Sequence, residues 1–174
     1  MLIIQTTDFK DNEFALATDL TTTKPLLQAT IDTYEKEYIW YLLGKTLGDL
    51  FIADIAAGVP TTARFIKIFD PLQEQDDNDT LRISRGIKKI LLAAVYYHFI
   101  VNNQTEHSQS GITVPNLDTV KKVGFSNAVR AAELKFNELL DSVETIQWFC
   151  DEEDSATYPE YNGQIIDVKS SSIF

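Results

Sequence analysis

The amino-acid sequence predicts an all-α fold, a bundle of about five helices with a long C-terminal helix and an extended terminal tail. Two observations lead to this prediction. Apolar residues recur every three or four positions through residues 25–57 and 84–150, which is the spacing of one face of a helix. Glycines and prolines separate the periodic stretches, as expected where helices end.

Three helices are predicted in the first half of the chain. Residues 25–43 form the first, and Gly44 directly after them is typical of a helix C-terminus. Residues 45–57 form the second, which also ends at a glycine. A short third helix includes residues 65–69 and stops before a proline, because the residue that precedes proline disfavours helical backbone.

Two longer helices are predicted in the second half. Residues 84–102 are apolar around so much of the helix circumference that this helix is expected at the centre of the fold. Residues 125–151 carry a heptad-like seam of apolar residues and form the longest helix. Residues 73–80, acidic and without periodicity, are predicted to be a loop or a mobile insertion, and residues 103–116 a polar loop.

At 174 residues, the chain is long enough for one domain with a substantial core and short for two. We divide it into an irregular N-terminal segment (1–24), a helical domain (25–154) and an extended C-terminal tail (155–174). The expected core positions are apolar residues on the inward helix faces: Leu27, Ile31, Leu47, Phe51, Phe65, Ile87, Leu91, Ala94, Val129, Phe136, Leu139 and Val143.

The charge balance argues against one class of function. The chain has 26 acidic and 15 basic residues and a formal net charge of −11. Such a chain repels a phosphate backbone, so gripping nucleic acid is not expected to be its main activity. The same charge is compatible with lining a passage through which DNA slides, where adhesion would be harmful.

The chain is expected to be made in a cytoplasm. Its single cysteine, Cys150, excludes an internal disulfide. The first residues lack the basic and apolar regions of a secretory signal. The longest apolar run, residues 90–101, is too short to span a bilayer and is interpreted as part of a buried helix.

No motif with the spacing of a catalytic or metal site is present, so we predict no enzymatic activity, cofactor or metal. An unrecognised carboxylate site among the 26 acidic residues stays open. His98 lies within the apolar helix and is interpreted as a hydrogen-bonded structural histidine. His107, beside Glu106, is interpreted as a solvated loop residue. The acidic run 76–79 lacks the spacing of a calcium loop.

Three groups of residues are candidates for contacts with partners. Trp40 lies opposite the tyrosine face of its helix and Trp148 lies off the last apolar seam, so each needs either another subunit or the chain's own tail as cover. Asp76, Asp77 and Asp79 form either a solvated loop or a contact surface for a basic partner. The apolar tail residues are expected to dock on another subunit or protein, or to fold back on a tryptophan: Ile165, Ile166, Val168, Ile173 and Phe174.

Three stretches together resemble a known family. They are the aromatic helix with its Leu-Leu-Gly break (residues 38–51), the apolar helix 86–100 with the polar loop 102–112 after it, and the long amphipathic helix with its hydrophobic tail. In the order of these helices and in their pattern of apolar and polar residues, the chain resembles the head–tail connector (adaptor) proteins of tailed bacteriophages, including those of phages that infect Bacteroides-type hosts. The resemblance covers about residues 25–150.

The resemblance implies a non-enzymatic virion protein of the neck, at the head–tail junction. It implies a ring homo-oligomer, commonly of twelve subunits, that binds the portal protein and other tail or neck proteins. DNA passes through such a ring without sequence-specific binding, and no membrane is involved. Two alternatives stay open: another neck or tail-completion protein, a class with many β-rich folds, and a soluble helical binding or regulatory protein of a bacterium.

Overall fold

The computed structural model describes residues 3–10, 12–16, 23–105 and 119–162, without the side chains of residues 103–105 and 119–127. The elements follow one another in this order: a 3-10 turn (Thr6–Phe9), α1 (Thr23–Asp54), β1 (Ile55–Ala56), β2 (Val59–Pro60), α2 (Ala63–Phe69), β3 (Leu72–Gln75), β4 (Leu81–Ser84), α3 (Ile87–Thr105), α4 (Thr119–Asn137), α5 (Leu140–Trp148) and a π-helical turn (Phe149–Glu153).

The predicted fold class is wrong. The described part of the chain is about 65% helical and also contains two small antiparallel sheets, so the fold is mixed α/β rather than an all-α bundle of five helices. Each sheet is a two-stranded hairpin, β1 with β2 and β3 with β4. Strands of two and four residues are too short to show a periodicity of two, which is why the apolar pattern did not predict them.

The first hairpin replaces the end of the second predicted helix. Ala57 and Gly58 both have positive φ, 53° and 87°, which is the backbone of the two-residue turns that best match strand twist. Asp54, the last residue of α1, accepts the backbone N–H groups of Thr61 (2.7 Å) and Thr62 (2.8 Å). Hydrogen bonds to this carboxylate, that of the Thr62 hydroxyl first, lower the pKa of Asp54 to about 2. The hydrogen bonds of Asp54 thus join the C-terminal end of α1 to the start of α2.

The second hairpin occupies the stretch predicted as a loop or mobile insertion. Leu72 pairs with Ser84 and Gln75 pairs with Leu81, so β3 and β4 match along their full length. Side chains alternate between a face turned to the core, with Leu72 and Ser84 buried, and an outward face. The acidic residues between the strands form the turn of this hairpin.

Helix α1 combines the first two predicted helices. It is broken at Gly44, whose φ of 74° and ψ of 165° are not helical, so the predicted helix end at this glycine is a kink. A Cβ at Gly44 would lie 2.7 Å from the Asn162 side-chain oxygen. The end of the described chain therefore lies against the kink.

The prediction of a single long C-terminal helix is also wrong. The predicted helix 125–151 is divided into α4, α5 and the π-helical turn. Residues 155–162 form turns that pack on the domain rather than an extended tail. Tyr158 is buried there, and its hydroxyl donates to the carbonyl of Arg64 at 2.5 Å. Residues 163–174, the remainder of the predicted tail, lie outside the described residues.

Helix α3 is central, as predicted, because it packs against both α1 and α4. The predicted core residues are buried with one exception, Val129, which is half-buried. The N-terminal segment adds to the core through Ile3, Ile4, Phe9 and Phe14, which are all buried. Residues 3–4 form no strand.

Candidate interaction surfaces

The second hairpin presents an uncharged outer face. Leu81 and Ile83 are each 53% exposed and lie two residues apart on β4, so their side chains point to the same side. Opposite them in the sheet are Gln75 and Gln73, which share that side because directly paired residues do. We call these four residues the hairpin face. It places two large aliphatic side chains in contact with water.

The turn of this hairpin is built by Asp76, one of the predicted contact residues. Its buried carboxylate accepts the backbone N–H groups of Asn78 (2.9 Å) and Thr80 (3.0 Å) and the Arg82 Nε–H (3.1 Å). These bonds, that of Thr80 first, lower the pKa of Asp76. Asp76 thus organises the turn and is itself covered.

Asp77 and Asp79 stay exposed at the end of the hairpin, and we call them the acidic tip. Asp79 has a φ of 58°, a left-handed conformation that aspartate and asparagine tolerate better than most residues. The Gln75 side chain donates to the Asp79 carboxylate at 3.2 Å. The tip therefore has a defined position next to the hairpin face.

The hairpin is anchored on α5. The Arg82 guanidinium lies 4.8 Å from the centre of the Trp148 ring, and the Ser142 hydroxyl of α5 accepts the backbone N–H of Arg85, directly after β4, at 3.2 Å. Trp148 is buried. The sequence predicted that another subunit or the tail covers this tryptophan. In the structure, Arg82 of the hairpin lies over its ring.

Trp40 lies over the kink of α1. Its ring packs so closely on Gly48 that a Cβ there would lie 2.9 Å from Trp40 Cδ1, and its Nε1–H donates to Asp49 at 2.9 Å. The ammonium groups of Lys36 and Lys45 lie 4.5 and 4.7 Å from the ring centre. The bond with Lys45, and then that with Trp40, lowers the pKa of Asp49. We call these four residues, Lys36, Trp40, Lys45 and Asp49, the Trp40 surface.

Part of the Trp40 ring remains accessible. Residues of its own helix on both sides of the kink, Lys36 and Gly48 among them, lie against the ring. The prediction that another subunit or the tail also covers Trp40 stays a prediction. The remaining candidates, Ile165, Ile166, Val168, Ile173 and Phe174, lie outside the described residues, as do Glu106 and His107.

His98 has the structural role that the sequence predicted. Its Nε2 and the Tyr38 hydroxyl are 2.9 Å apart, and its ring stacks on that of Tyr34 with a centroid distance of 3.8 Å. Burial lowers the pKa of His98 to about 4. The imidazole is therefore neutral near pH 7 and joins α1 to α3.

Glu35 is a buried acid that the sequence analysis missed. Its side chain is 2% exposed, and its carboxylate accepts the backbone N–H of Ile4 at 2.7 Å, which ties the N-terminal segment to α1. Burial raises the pKa of Glu35 to about 7. The spacing along the helix could have shown its burial. Glu35 lies four residues after Ile31 and three before Tyr38, on the apolar face of the helix.

Glu35→Gln should change the pH dependence of stability. Because the carboxyl binds its proton more tightly in the folded state, the unaltered chain should lose stability as the pH rises from about 4.5 to about 7. The loss at pH 8 should be roughly 2–3 kcal/mol. A neutral glutamine avoids it, so Glu35→Gln should be the more stable chain at pH 8.

Urea denaturation at pH 5 and pH 8 measures this difference. Glu152→Gln, the same substitution at an exposed position of the π-helical turn, is the matched control. If the free energy of unfolding changes by the same amount from pH 5 to pH 8 in Glu35→Gln and in the unaltered chain, Glu35 does not cause the pH dependence.

Among the described residues, no three His, Cys, Asp or Glu side chains are grouped so that they hold a metal ion. Within the same ranges, no helix is long and apolar enough to cross a membrane. Cys150 is buried, and burial raises the pKa of its thiol to about 12, so the thiolate nucleophile is scarce near pH 7.

Two regions are suited to protein contacts because each combines accessible apolar surface with nearby charge. They are the hairpin face with the acidic tip beside it, and the Trp40 surface. Comparison of the chain with protein-family models, curated proteins and solved structures finds no match. Function is therefore inferred from these surfaces and from the sequence.

Proposed function

We propose that this chain is a non-enzymatic subunit of the head–tail connector of a tailed bacteriophage. It forms a ring beneath the portal and continues the DNA channel. Its partners are copies of itself, the portal protein and other tail or neck proteins. It is made in the cytoplasm of the host bacterium and becomes part of the virion at the head–tail junction.

One observation carries the proposal. A well-anchored hairpin exposes two neighbouring aliphatic side chains, Leu81 and Ile83, each 53% accessible. Exposing such a pair costs solvation free energy, and a neighbouring subunit that covers it removes this cost. An assembly subunit therefore accounts for a surface that a monomer does not need.

Two further features support the same role. The break of α1 at Gly44 and the apolar α3, which packs against α1 and α4, lie in two of the stretches on which the resemblance rests. The net charge of −11 disfavours adhesion to DNA that moves through a ring.

The mass of the purified chain, alone and mixed with portal rings of the same phage, tests the proposal. We expect a small species alone, because connector subunits often assemble only on their platform. On portal rings, we expect the added mass to be a fixed multiple of 19.7 kDa. Native mass spectrometry measures both.

Portal rings of an unrelated phage serve as the control and should add no mass. Failure to bind the cognate rings would contradict the proposal. A stable dimer that ignores the portal would instead favour a bacterial binding or regulatory protein.

A further inference from the structure

We propose that the hairpin face of one copy docks on the Trp40 surface of a neighbouring copy, with the acidic tip directed at Lys36 and Lys45. The inference rests on the ring proposed above and names the two surfaces that join adjacent subunits. It follows from the exposure, rigidity, charge and asymmetry of these surfaces.

The two surfaces match in apolar character. Leu81 and Ile83 project from the hairpin face and are each more than half exposed. Trp40 offers the accessible part of a large, rigid ring whose Nε1–H is already bonded to Asp49. Contact between the aliphatic pair and the indole removes apolar surface from water on both sides and leaves the indole donor satisfied.

The hairpin is held in place before any partner arrives. Asp76 fixes the turn, Ser142 of α5 accepts the backbone N–H of Arg85 directly after β4, and the Lys67 ammonium pairs with Glu74 of β3 at 3.2 Å. Because these contacts already order the hairpin, little conformational entropy is lost when it docks.

Charge complementarity selects the partner surface. The acidic tip carries two exposed carboxylates, and the chain as a whole has a net charge of −11. On average, a second copy of the chain therefore repels the tip. The Trp40 surface carries two ammonium groups and one carboxylate. The Lys45 ammonium pairs with Asp49 at 2.8 Å, whereas the Lys36 ammonium lies over the Trp40 ring, so the surface keeps an excess of positive charge beside that ring. Matched potentials of this kind fix the choice of partner and the register.

The contact joins different copies. In the subunit itself, the hairpin packs on α5 and leaves its outer face open, while Trp40 lies over the kink of α1. Two unlike surfaces make a head-to-tail interface, which produces a closed ring when the rotation between copies closes. Each copy then uses both of its surfaces, as the ring requires.

Two variants with altered charge test the contact. The tip variant combines Asp77→Lys with Asp79→Asn, because asparagine tolerates the φ of 58° and keeps an oxygen for the Gln75 amide. The surface variant combines Lys36→Glu with Lys45→Gln. These positions are exposed, so both variants should fold, and circular dichroism and thermal melting confirm that they do.

Each variant alone should self-associate about tenfold more weakly than the unaltered chain, because like charges now meet at every contact. An equimolar mixture should recover association. In the mixture, the altered tip meets the altered surface and the unaltered tip meets the unaltered surface. The mass added to portal rings measures association on the platform, and sedimentation velocity at high protein concentration measures the weak association of the free chains.

The control variant combines Asp151→Lys with Glu153→Gln, which changes the net charge as the tip variant does but at exposed positions of the π-helical turn. It should associate like the unaltered chain. Tip and surface variants that associate normally, or a mixture no better than either alone, would overturn the contact.

The results separate this contact from the proposed function. If the tip and surface variants load on portal rings as the unaltered chain does, the contact is wrong and the connector role stands. If no chain binds portal rings but the mixture restores association that each variant has lost, the contact is right and the connector role is wrong.

Discussion

Replacing Phe136 with alanine should lower the free energy of unfolding by about 3–5 kcal/mol. Phe136 lies on α4 and is 2% exposed. Its ring meets Tyr38 of α1 edge-on, with centroids 5.8 Å apart, and stacks on Tyr97 of α3 at 6.1 Å. Removal of the ring leaves a cavity where three helices meet. Because a whole domain is stable by only about 5–15 kcal/mol, the variant should be close to unfolding.

Urea denaturation followed by circular dichroism measures this loss. Leu134→Ala, two residues away on the same helix, is the matched control because Leu134 is 54% exposed. It should change stability by less than about 0.5 kcal/mol. A loss below about 1 kcal/mol in Phe136→Ala would place this ring outside the core.

The core was predictable because helical spacing records, over several turns, which side of each helix is buried. Leu27 and Ile31 on α1, and Ile87 and Leu91 on α3, are fully buried where the spacing placed them. The break between α4 and α5 escaped notice for the same reason. The apolar seam continues through it, and Leu139 at the break is itself buried.

The hairpins were not predictable from periodicity, because each depends on a carboxylate that binds backbone N–H groups across a turn. Asp54 binds Thr61 and Thr62, and Asp76 binds Thr80. Because residues 73–80 are acidic and polar, the site at Asp76 was interpreted as a solvated loop. An aspartate that begins a short polar stretch is a known turn signal, and it was the evidence available for a hairpin there.

The interaction surfaces were predicted in part. The spacing showed that Trp40 lies away from the tyrosine face and needs cover, but a single-helix pattern does not show that the helix kinks and covers the ring itself. The cover of Trp148 comes from Arg82, far away in sequence. Leu81 and Ile83 were missed because an exposed aliphatic pair on a four-residue strand has the same composition as a buried one.

Gly86→Ala should cost about 2–5 kcal/mol of unfolding free energy. Gly86 stands between β4 and α3 with a φ of 84°, and a Cβ there would lie 2.3 Å from the carbonyl oxygen of Phe69 and 2.9 Å from that of Asp70. Left-handed strain contributes about 1–2 kcal/mol and overpacking about 1–3 kcal/mol. Backbone atoms cannot swing aside, so relief requires that α3 moves away from the end of α2.

Gly44→Ala separates the two contributions. Its φ is 74°, but its Cβ would meet only the end of the Asn162 side chain, at 2.7 Å, which can rotate away. With ψ at 165°, the Gly44 backbone lies in a region that is nearly restricted to glycine, so we expect a cost of about 1–3 kcal/mol, mostly strain. Gly44→Ala with Asn162→Ala should show strain alone. Urea denaturation compares the three chains. If Gly86→Ala costs no more than Gly44→Ala, the close approach of Gly86 to the Phe69 carbonyl does not limit the fold.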